Sequence, residues 1–119
     1  MPSVYLRYDN KPLNQYELRV GEIRIGRRTE NDIRVDDVAV SGHHALLRVR
    51  RDEYFKNQLH VEIEDCGSTN GTMVNGKPIK KQRLSHGDII RLGHHEMVYH
   101  DEQVSSLGET AIYIPEEQR

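Results

Sequence analysis

The 119-residue sequence has no tryptophan, one phenylalanine and one cysteine. Because Cys66 is alone, it cannot form an internal disulfide, so a reducing, cytoplasmic setting is the natural expectation. No stretch approaches the roughly eighteen apolar residues of a membrane span. The N-terminus also lacks the apolar centre of a secretory signal, so we expect no membrane association.

The sequence lacks an excess of charge of either sign. Its net charge is −2 with neutral histidines, which argues against a general nucleic-acid binder, since that class carries a strong basic surplus. Apolar residues make up 35% of the chain, and with so few large aromatics the core must be built from Val, Ile, Leu and Tyr, which are mostly strand formers. This composition predicts one domain with a thin core, such as two packed sheets.

The sequence does contain a series of short alternating apolar segments separated by turn residues. Strands are predicted at residues 4–8, 16–20, 22–25, 33–35, 45–50, 59–63, 73–74, 89–92 and 95–99. The pair Asn75-Gly76 predicts a two-residue hairpin turn. Because no segment has a sustained helical period, the pattern indicates an all-β, antiparallel sandwich or barrel.

Three loops between predicted strands carry groups that suit a compact anion. They are Gly26–Arg28, Val40–His44 and Gly67–Thr72. Together they offer a guanidinium, several hydroxyls, an amide and backbone N–H groups beside glycine. An arginine fork matches two phosphate oxygens, and neutral donors can satisfy the others. If the loops cluster at one end of a sandwich, phosphate is the ligand that the pattern favours.

Short motifs follow one another along most of the chain. IGRRTENDIRVDDVAVSGHHA contains Gly-Arg, Asn-Asp-Ile and Ser-x-x-His, DCGSTNGTMVNGKPI contains Ser-Thr-Asn-Gly-Thr and a hairpin, and LSHGDIIRLG contains Gly-Asp-x-Ile-x-Leu-Gly. In this order and at these separations, the motifs resemble the forkhead-associated (FHA) domain family from about Glu17 to Tyr99. The resemblance implies an antiparallel β-sandwich of about eleven strands, of the FHA/SMAD-like type, that binds phosphothreonine peptides through loops at one end.

The resemblance also implies roles for individual residues. Arg27 would contact the phosphate, Ser41 and Thr69 would hydrogen-bond it, and the backbone N–H of Gly42 would assist. Asn70 would hold the main chain of the peptide. The chain would then be a reader of kinase substrates in signalling or assembly.

Other positions would support the site or depart from the family pattern. His44 would buttress the serine loop, and Gly26 and Gly71 would supply a backbone shape that a side chain prevents. Gly42 stands where relatives commonly have Arg or Asn, which predicts weaker phosphate binding. Ala39 lies in the loop that relatives use to read the third residue after the phosphothreonine, and it favours an apolar or permissive preference there.

Other chemistries fit the sequence poorly. His43-His44 and His94-His95 invite a metal, but adjacent residues on a strand point to opposite faces and no tetrahedral ligand spacing is present. The Gly67–Thr72 loop lacks the lysine of a nucleotide-binding loop. A catalytic pair of Cys66 with a histidine is conceivable, but no supporting third residue can be placed beside it. The sequence therefore predicts a binding module and not an enzyme, with no metal or other cofactor.

The domain is expected to occupy residues 1–100, followed by a C-terminal tail at residues 101–119. Thr110 in this tail is a candidate phosphosite, and phosphorylated Thr110 could be a ligand for the same loops. The apolar residues 111–114 could instead pair with a sheet edge, independently of phosphate. Either arrangement would give self-association, and a flexible terminus is the third alternative. Expected partners are a phosphothreonine-containing protein or a further copy of this chain, and neither nucleic acid nor membrane.

Overall fold

A computed structural model describes residues 1–55 and 57–101. The strands are β1 Ser3–Tyr8, β2 Lys11–Glu17, β3 Gly21–Gly26, β4 Ile33–Arg34, β5 Ala45–Arg51, β6 Leu59–Asp65, β7 Thr72–Val74, β8 Lys77–Ile79, β9 Lys81–Arg83, β10 Ile89–Leu92 and β11 His95–His100. No helix occurs in these residues. The predicted all-β fold of about eleven strands is therefore confirmed.

The strands form two sheets. One has the order β2-β1-β11-β10-β7-β8 and the other the order β4-β3-β5-β6-β9. The described pairings are antiparallel except for β3 with β4, which run parallel and place Ile25 opposite Ile33. The chain between β3 and β4 therefore turns back through residues 27–32 and continues in its original direction.

Alternation along the strands builds the core between the sheets. In β5, Ala45, Leu47 and Val49 are buried, and the residues between them are less so. Tyr99 is the largest of the fully packed side chains, and its hydroxyl donates a hydrogen bond to Asp101 Oδ2 over 3.2 Å. Truncating a buried leucine such as Leu47 to alanine costs roughly 2–5 kcal/mol, so this layer stabilises the strands that carry the loops.

Two tight hairpins have positive φ at both central residues. The β7–β8 turn has φ 52° at Asn75 and 82° at Gly76, so the hairpin predicted there is confirmed. The β1–β2 turn has φ 53° at Asp9 and 61° at Asn10. This backbone matches the right-handed twist of the strands, and Asn, Asp and Gly are the residues that adopt it at least cost.

The strand predicted at residues 16–20 was misplaced. The observed strand, β2, runs from Lys11 to Glu17, and Leu18 lies beyond it as a buried residue whose N–H donates to Pro2 O over 2.9 Å. Because β2 is an edge strand in which almost every residue is exposed, its apolar and polar residues do not alternate, and the sequence pattern does not locate it. The bounds of β8, which the predicted hairpin only implies, and the strand β9 were not predicted, because the segments KPI and KQR contain a single aliphatic side chain between them.

The ends of the strands bring three loops together. We call residues 27–32 the first loop, residues 35–44 the second loop and residues 66–71 the third loop. The strands β3 and β6 both end where β5 begins, since each is antiparallel to it. The three loops therefore lie at the same end of the sandwich.

The last described residue, Asp101, is tied to the domain, because its N–H donates to His86 Nδ1 over 2.9 Å. Thr110 and residues 111–114 lie outside the described residues, so the division of the chain at residue 100 stays a prediction. In the part of the chain that the structure covers, no helix is long and apolar enough to cross a membrane.

Candidate functional site

The first and second loops run side by side through their backbones. The N–H of Arg27 donates to Ser41 O over 3.0 Å, and the N–H of Arg28 donates to Gly42 O over 3.3 Å. These bonds place Arg27 beside Ser41 and Arg28 beside Gly42. Two arginines are thus brought next to the serine loop by main-chain contacts that do not depend on their side chains.

Gly26 lies where these two loops approach most closely. A Cβ on Gly26 would fall 2.8 Å from Asn31 Nδ2 and closer still to Gly42 O. The Asn31 amide fills the junction, because Nδ2 donates to Gly42 O over 2.7 Å and to Arg28 O over 2.9 Å. Glycine is therefore required here by the close approach of another backbone, and not by a positive φ.

His44 is fully buried and connects the second loop to the third. The N–H of Ser41 donates to His44 Nδ1 over 3.0 Å, so Nδ1 is an acceptor and the ring proton lies on Nε2. Nε2 then donates to Gly71 O over 2.9 Å. Both ring nitrogens are committed to the protein, and Gly71 itself has a φ of 83°, which favours glycine.

Asp65, at the end of β6, organises the third loop. Its Oδ2 accepts from the N–H groups of Gly67 and Ser68, both at 3.1 Å, and its Oδ1 accepts from the hydroxyls of Ser68 and Thr72. Burial would raise the pKa of the Asp65 carboxyl, but the bonds from Ser68 and Thr72 outweigh it and lower the pKa. The third loop is therefore shaped around an ionised carboxylate.

The second and third loops are joined again at the surface. The N–H of Thr69 donates to Ser41 Oγ over 3.0 Å, and Asn70 Nδ2 donates to Ala39 O over 2.9 Å. Within the described part of the chain, the Ser41 hydroxyl proton and Asn70 Oδ1 have no partner. A donor and an acceptor are thus left for a ligand.

Arg27 is exposed, and its guanidinium has no hydrogen-bond or ion-pair partner in residues 1–55 and 57–101. It lines an open cavity of about 750 Å³ together with Arg28, Arg34 and Gly42. Arg34 stabilises the first loop, because its Nε donates to Arg27 O over 2.9 Å. Asp36 also lines the cavity and pairs with Arg34 at 3.6 Å, so three guanidinium groups face one carboxylate, and the remaining positive charge attracts an anion.

The structure brings five of the predicted site residues to this end of the sandwich: Arg27, Ser41, Gly42, Thr69 and Asn70. Thr69 is joined to Ser41 through its backbone, and its own side chain is exposed. The predicted supporting residues Gly26, His44 and Gly71 lie at the same end, and the predicted phosphosite Thr110 lies outside the described residues. Asn31 and Asp65 were not singled out as site residues, although the Asn-Asp-Ile and Asp-Cys-Gly-Ser segments contain them.

Asp37 in the second loop is a buried carboxylate that the sequence analysis missed. Its Oδ1 accepts from the N–H of Ala39 over 2.8 Å, and its Oδ2 accepts from the N–H of His94 over 2.7 Å. The rings of His94 and His95 reach the same carboxylate at 3.2 and 2.9 Å. Although burial would raise the pKa of Asp37, the bonds from Ala39, His95 and His94 hold it well below its ordinary range.

The premise that adjacent histidines diverge is therefore wrong for His94 and His95. His94 precedes the first residue of β11 and lies in the turn, so strand alternation does not apply to the pair. Both histidine rings contact the Asp37 carboxylate, which also accepts hydrogen bonds from two backbone N–H groups. Among the residues that the structure describes, no group of three or more His, Cys, Asp or Glu side chains could hold a metal ion.

Comparisons with known proteins point to one family. The model of the FHA domain family matches residues 23–93. The FHA domain-containing protein FhaA of Mycobacterium tuberculosis is 40% identical over 96 residues, which cover 81% of this chain and 17% of FhaA. The chain spans less than half the length of the first curated relatives that it matches.

Solved structures of FHA domains share the fold. The crystal structure of the FhaA FHA domain complexed with the intracellular domain of Rv3910 is 33% identical, with a TM-score of 0.70, and the match covers 83% of this chain and 99% of that one. A structure from a study of phosphothreonine-dependent FHA domain interactions is 36% identical, with a TM-score of 0.69 and coverages of 83% and 96%. With the family model, the relatives and the loop geometry in agreement, this chain belongs to the forkhead-associated domain family.

Proposed function

We propose that this chain binds phosphothreonine in partner proteins that are substrates of a serine/threonine kinase. The observation that carries the proposal is the Arg27 guanidinium, which is exposed and without a partner in the described residues, beside Ser41 and Gly42. The FHA structure 36% identical to this chain comes from work on phosphothreonine-dependent interactions, which supports the same ligand here.

The donors suit the phosphate group one by one. The Arg27 fork can hold two phosphate oxygens in a bidentate geometry. Ser41 Oγ accepts from the Thr69 N–H, which leaves its hydroxyl proton available to donate to a phosphate oxygen. The Gly42 N–H and the Thr69 hydroxyl complete the set. The bonds from His44 and Asp65 hold these donors in place before the ligand arrives, so little ordering is needed on binding.

Asn70 is proposed to hold the peptide main chain. Its Nδ2 is fixed on Ala39 O at 2.9 Å, which orients the whole amide. The Oδ1 atom then faces away from that bond and can accept a hydrogen bond from a peptide N–H. This assigns Asn70 to binding of any phosphothreonine peptide, and not to reading its side chains.

Binding without catalysis is part of the proposal. A serine nucleophile needs a neighbouring base to take its proton, and the nearest candidates by sequence are His43 and His44. His43 Nε2 lies 3.9 Å from Glu30 Oε2, and His43 has no hydrogen bond with Ser41 in the described residues. The two nitrogens of His44 are occupied by the N–H of Ser41 and the carbonyl of Gly71, and neither contacts the Ser41 hydroxyl. Ser41 is therefore placed to donate a hydrogen bond to a phosphate and not to attack it.

A reducing, cytoplasmic location belongs to the same proposal. Cys66 is a free, exposed cysteine at the start of the third loop. Partial burial of the sulfur, followed by the charges of Glu64 and Asp65, raises the pKa of the thiol. The thiol is therefore mostly protonated and unreactive near neutral pH. Fractionation of cells that express the natural protein would check the location.

The substitution Arg27→Ala tests the function. A hydrogen bond to a charged group contributes about 1.5–3 kcal/mol, so loss of two such bonds should weaken binding by roughly 100-fold or more. The ligand is a phosphothreonine peptide selected from a degenerate library, measured by isothermal titration beside its unphosphorylated form. Arg50→Ala is the control, because Arg50 is exposed and lies in β5 about 17 Å from Ala45 at about 3.3 Å per residue.

The expected result is tight binding by the natural chain and by Arg50→Ala, and none that is measurable by Arg27→Ala. Equal affinity of the natural chain for the phosphorylated and unphosphorylated peptides would contradict the proposal. So would retained affinity in a folded Arg27→Ala variant. Turnover of the phosphopeptide by the natural chain would contradict the part of the proposal that excludes an enzyme.

A further inference from the structure

The side chain of Arg28 lies directly over the backbone of Gly42. A Cβ on Gly42 would fall 2.9 Å from Arg28 Nε, 3.1 Å from its Cγ and 3.2 Å from its Cδ. Those separations are shorter than ordinary contacts of a real Cβ, so Arg28 already fills the volume that a side chain at position 42 would need. A guanidinium therefore stands at this point of the site although residue 42 has no side chain.

The backbone of Arg28 is fixed at that place. Its N–H donates to Gly42 O over 3.3 Å, and its carbonyl accepts from the Asn31 N–H over 3.2 Å and from Asn31 Nδ2 over 2.9 Å. Asn31 is itself buried, so its bonds to the Arg28 carbonyl are shielded from water. The Arg28 side chain starts from a fixed point and lines the same cavity as Arg27.

The guanidinium of Arg28, in contrast, is loosely held. Its ion pair is with Glu30, at 3.6 Å from NH1 to Oε2, and the two side chains are 65% and 57% exposed. An exposed pair of this kind adds little to stability, whereas a guanidinium bound to phosphate makes short, charge-assisted bonds. A phosphate that enters the cavity would therefore displace Glu30 as the ion-pair partner of the Arg28 guanidinium.

We propose that Arg28 is a second phosphate-binding residue, which supplies from the first loop the cation that Gly42 cannot supply from the second. This inference rests on the proposed function, because it needs a phosphothreonine ligand. A bound phosphothreonine brings a charge of about −1.5 to −2, so two guanidinium groups match it better than one. The weaker binding expected from Gly42 alone would then be offset by Arg28.

Glu30 acts as a competitor for the same guanidinium. In the free protein it holds Arg28, and His43 Nε2 lies 3.9 Å from the same Oε2 atom. The substitution Glu30→Gln keeps the shape of the side chain and removes its charge. It should tighten binding by about twofold to fivefold, the range expected when an exposed ion pair no longer has to be broken.

The test uses a capped nonapeptide with one phosphothreonine flanked by alanines, titrated by NMR into the full chain. Arg28→Ala should weaken binding about tenfold, equivalent to about 1.4 kcal/mol. The double variant Arg28→Ala with Gly42→Arg should recover most of the lost affinity. Removal of the Arg28 side chain leaves space over residue 42, which the new arginine side chain can occupy. Arg50→Ala is the charge-matched control and should bind as the natural chain does.

The outcomes separate this inference from the function itself. If the natural chain binds and Arg27→Ala does not, but Arg28→Ala binds within twofold of the natural chain, only the role of Arg28 is overturned. A tenfold loss that Gly42→Arg fails to restore would overturn it too, since the loss would then come from a distorted loop. Absence of binding by the natural chain to any phosphothreonine peptide would overturn both proposals.

A second peptide shows whether Arg28 contacts the phosphate or an acidic residue beside the phosphothreonine. It carries glutamates in place of the flanking alanines, with the same phosphothreonine. If Arg28 contacts the phosphate, Arg28→Ala weakens binding of both peptides by the same factor. If the loss occurs only with the glutamate peptide, Arg28 reads a flanking acidic residue, and the assignment to phosphate is overturned.

Discussion

The backbone N–H of Ser41 donates a hydrogen bond to Nδ1 of His44 over 3.0 Å. The two residues are three apart in sequence, so the ring reaches back over its own loop. The opposite edge of the ring donates to Gly71 O over 2.9 Å. The serine that we propose to meet the phosphate is therefore positioned by a side chain whose two ring nitrogens are both bonded within the protein.

Substitution of His44 should thus affect both stability and binding. His44→Ala leaves the Ser41 N–H and the Gly71 carbonyl without their partner and opens a cavity, which we expect to cost roughly 2–4 kcal/mol of unfolding free energy. Urea denaturation measures the stability, and titration with phosphopeptide below the unfolding range measures the affinity. His43→Ala changes an exposed neighbour and should leave stability within about 0.5 kcal/mol. Undiminished affinity in folded His44→Ala would show that the ring does not position Ser41.

Gly26 and Gly71 should respond differently to the same pair of substitutions. At Gly26 a Cβ meets Gly42 O and Asn31 Nδ2, so alanine and asparagine should both destabilise, by about 1–3 kcal/mol or more. At Gly71 no atom lies within 4 Å of the added Cβ, and the cost comes from the φ of 83°. Because Asn tolerates positive φ better than Ala, Gly71→Asn should be milder than Gly71→Ala. Thermal or urea unfolding of the four variants checks this, and a Gly71→Asn variant no more stable than Gly71→Ala would contradict it.

The Asp37 carboxylate should make stability depend on pH. Burial would raise its pKa, but hydrogen bonds from Ala39, His95 and His94 lower it overall. A carboxyl with a depressed folded pKa stabilises the fold above its unfolded value of about 3.9 and loses that contribution as pH falls through the folded pKa. Asp37→Asn should therefore be less stable at pH 7 and lose less additional stability between about pH 4 and pH 2. Parallel slopes of unfolding free energy against pH for the two proteins would contradict this.

The C-terminal tail supplies a direct test of self-recognition. We expect a synthetic peptide of residues 105–115, phosphorylated at Thr110, to bind the full chain through the Arg27 site. The unphosphorylated peptide and the Arg27→Ala variant serve as controls and should give no binding. Binding that persists in Arg27→Ala would instead favour pairing of the tail with a sheet edge. If neither peptide binds, the tail is not a ligand of this domain.

Most of the fold could be predicted from local patterns. Alternation located strands such as β5 and β11, because one of their faces is buried and the other is not. It misplaced β2, whose residues are nearly all exposed and whose place in the sheet depends on backbone pairing with β1. The parallel pairing of β3 with β4 could not be predicted either, because it involves only two residue pairs and is too short to show a repeating hydrophobic pattern.

The candidate site was predictable to the extent that its residues lie in recognisable motifs. Arg27, Ser41, Thr69 and Asn70 were identified in that way. The contribution of Arg28 was not, because it depends on its position over Gly42 in another loop, which no spacing along the chain reveals. The same is true of Asp37, which meets His94 across 57 residues of sequence.

The commitment of both His44 nitrogens inside the protein also has a kinetic consequence. If the donor loops keep their shape without a ligand, association does not wait for them to rearrange, and its rate follows diffusion and the attraction of the arginines. Differences between phosphorylated partners would then lie mainly in how long each complex lasts. A threonine phosphate bound among Arg27, Arg28 and Ser41 would be inaccessible to a phosphatase while the complex lasts. The rate at which the complex dissociates would then limit the rate at which the partner is dephosphorylated.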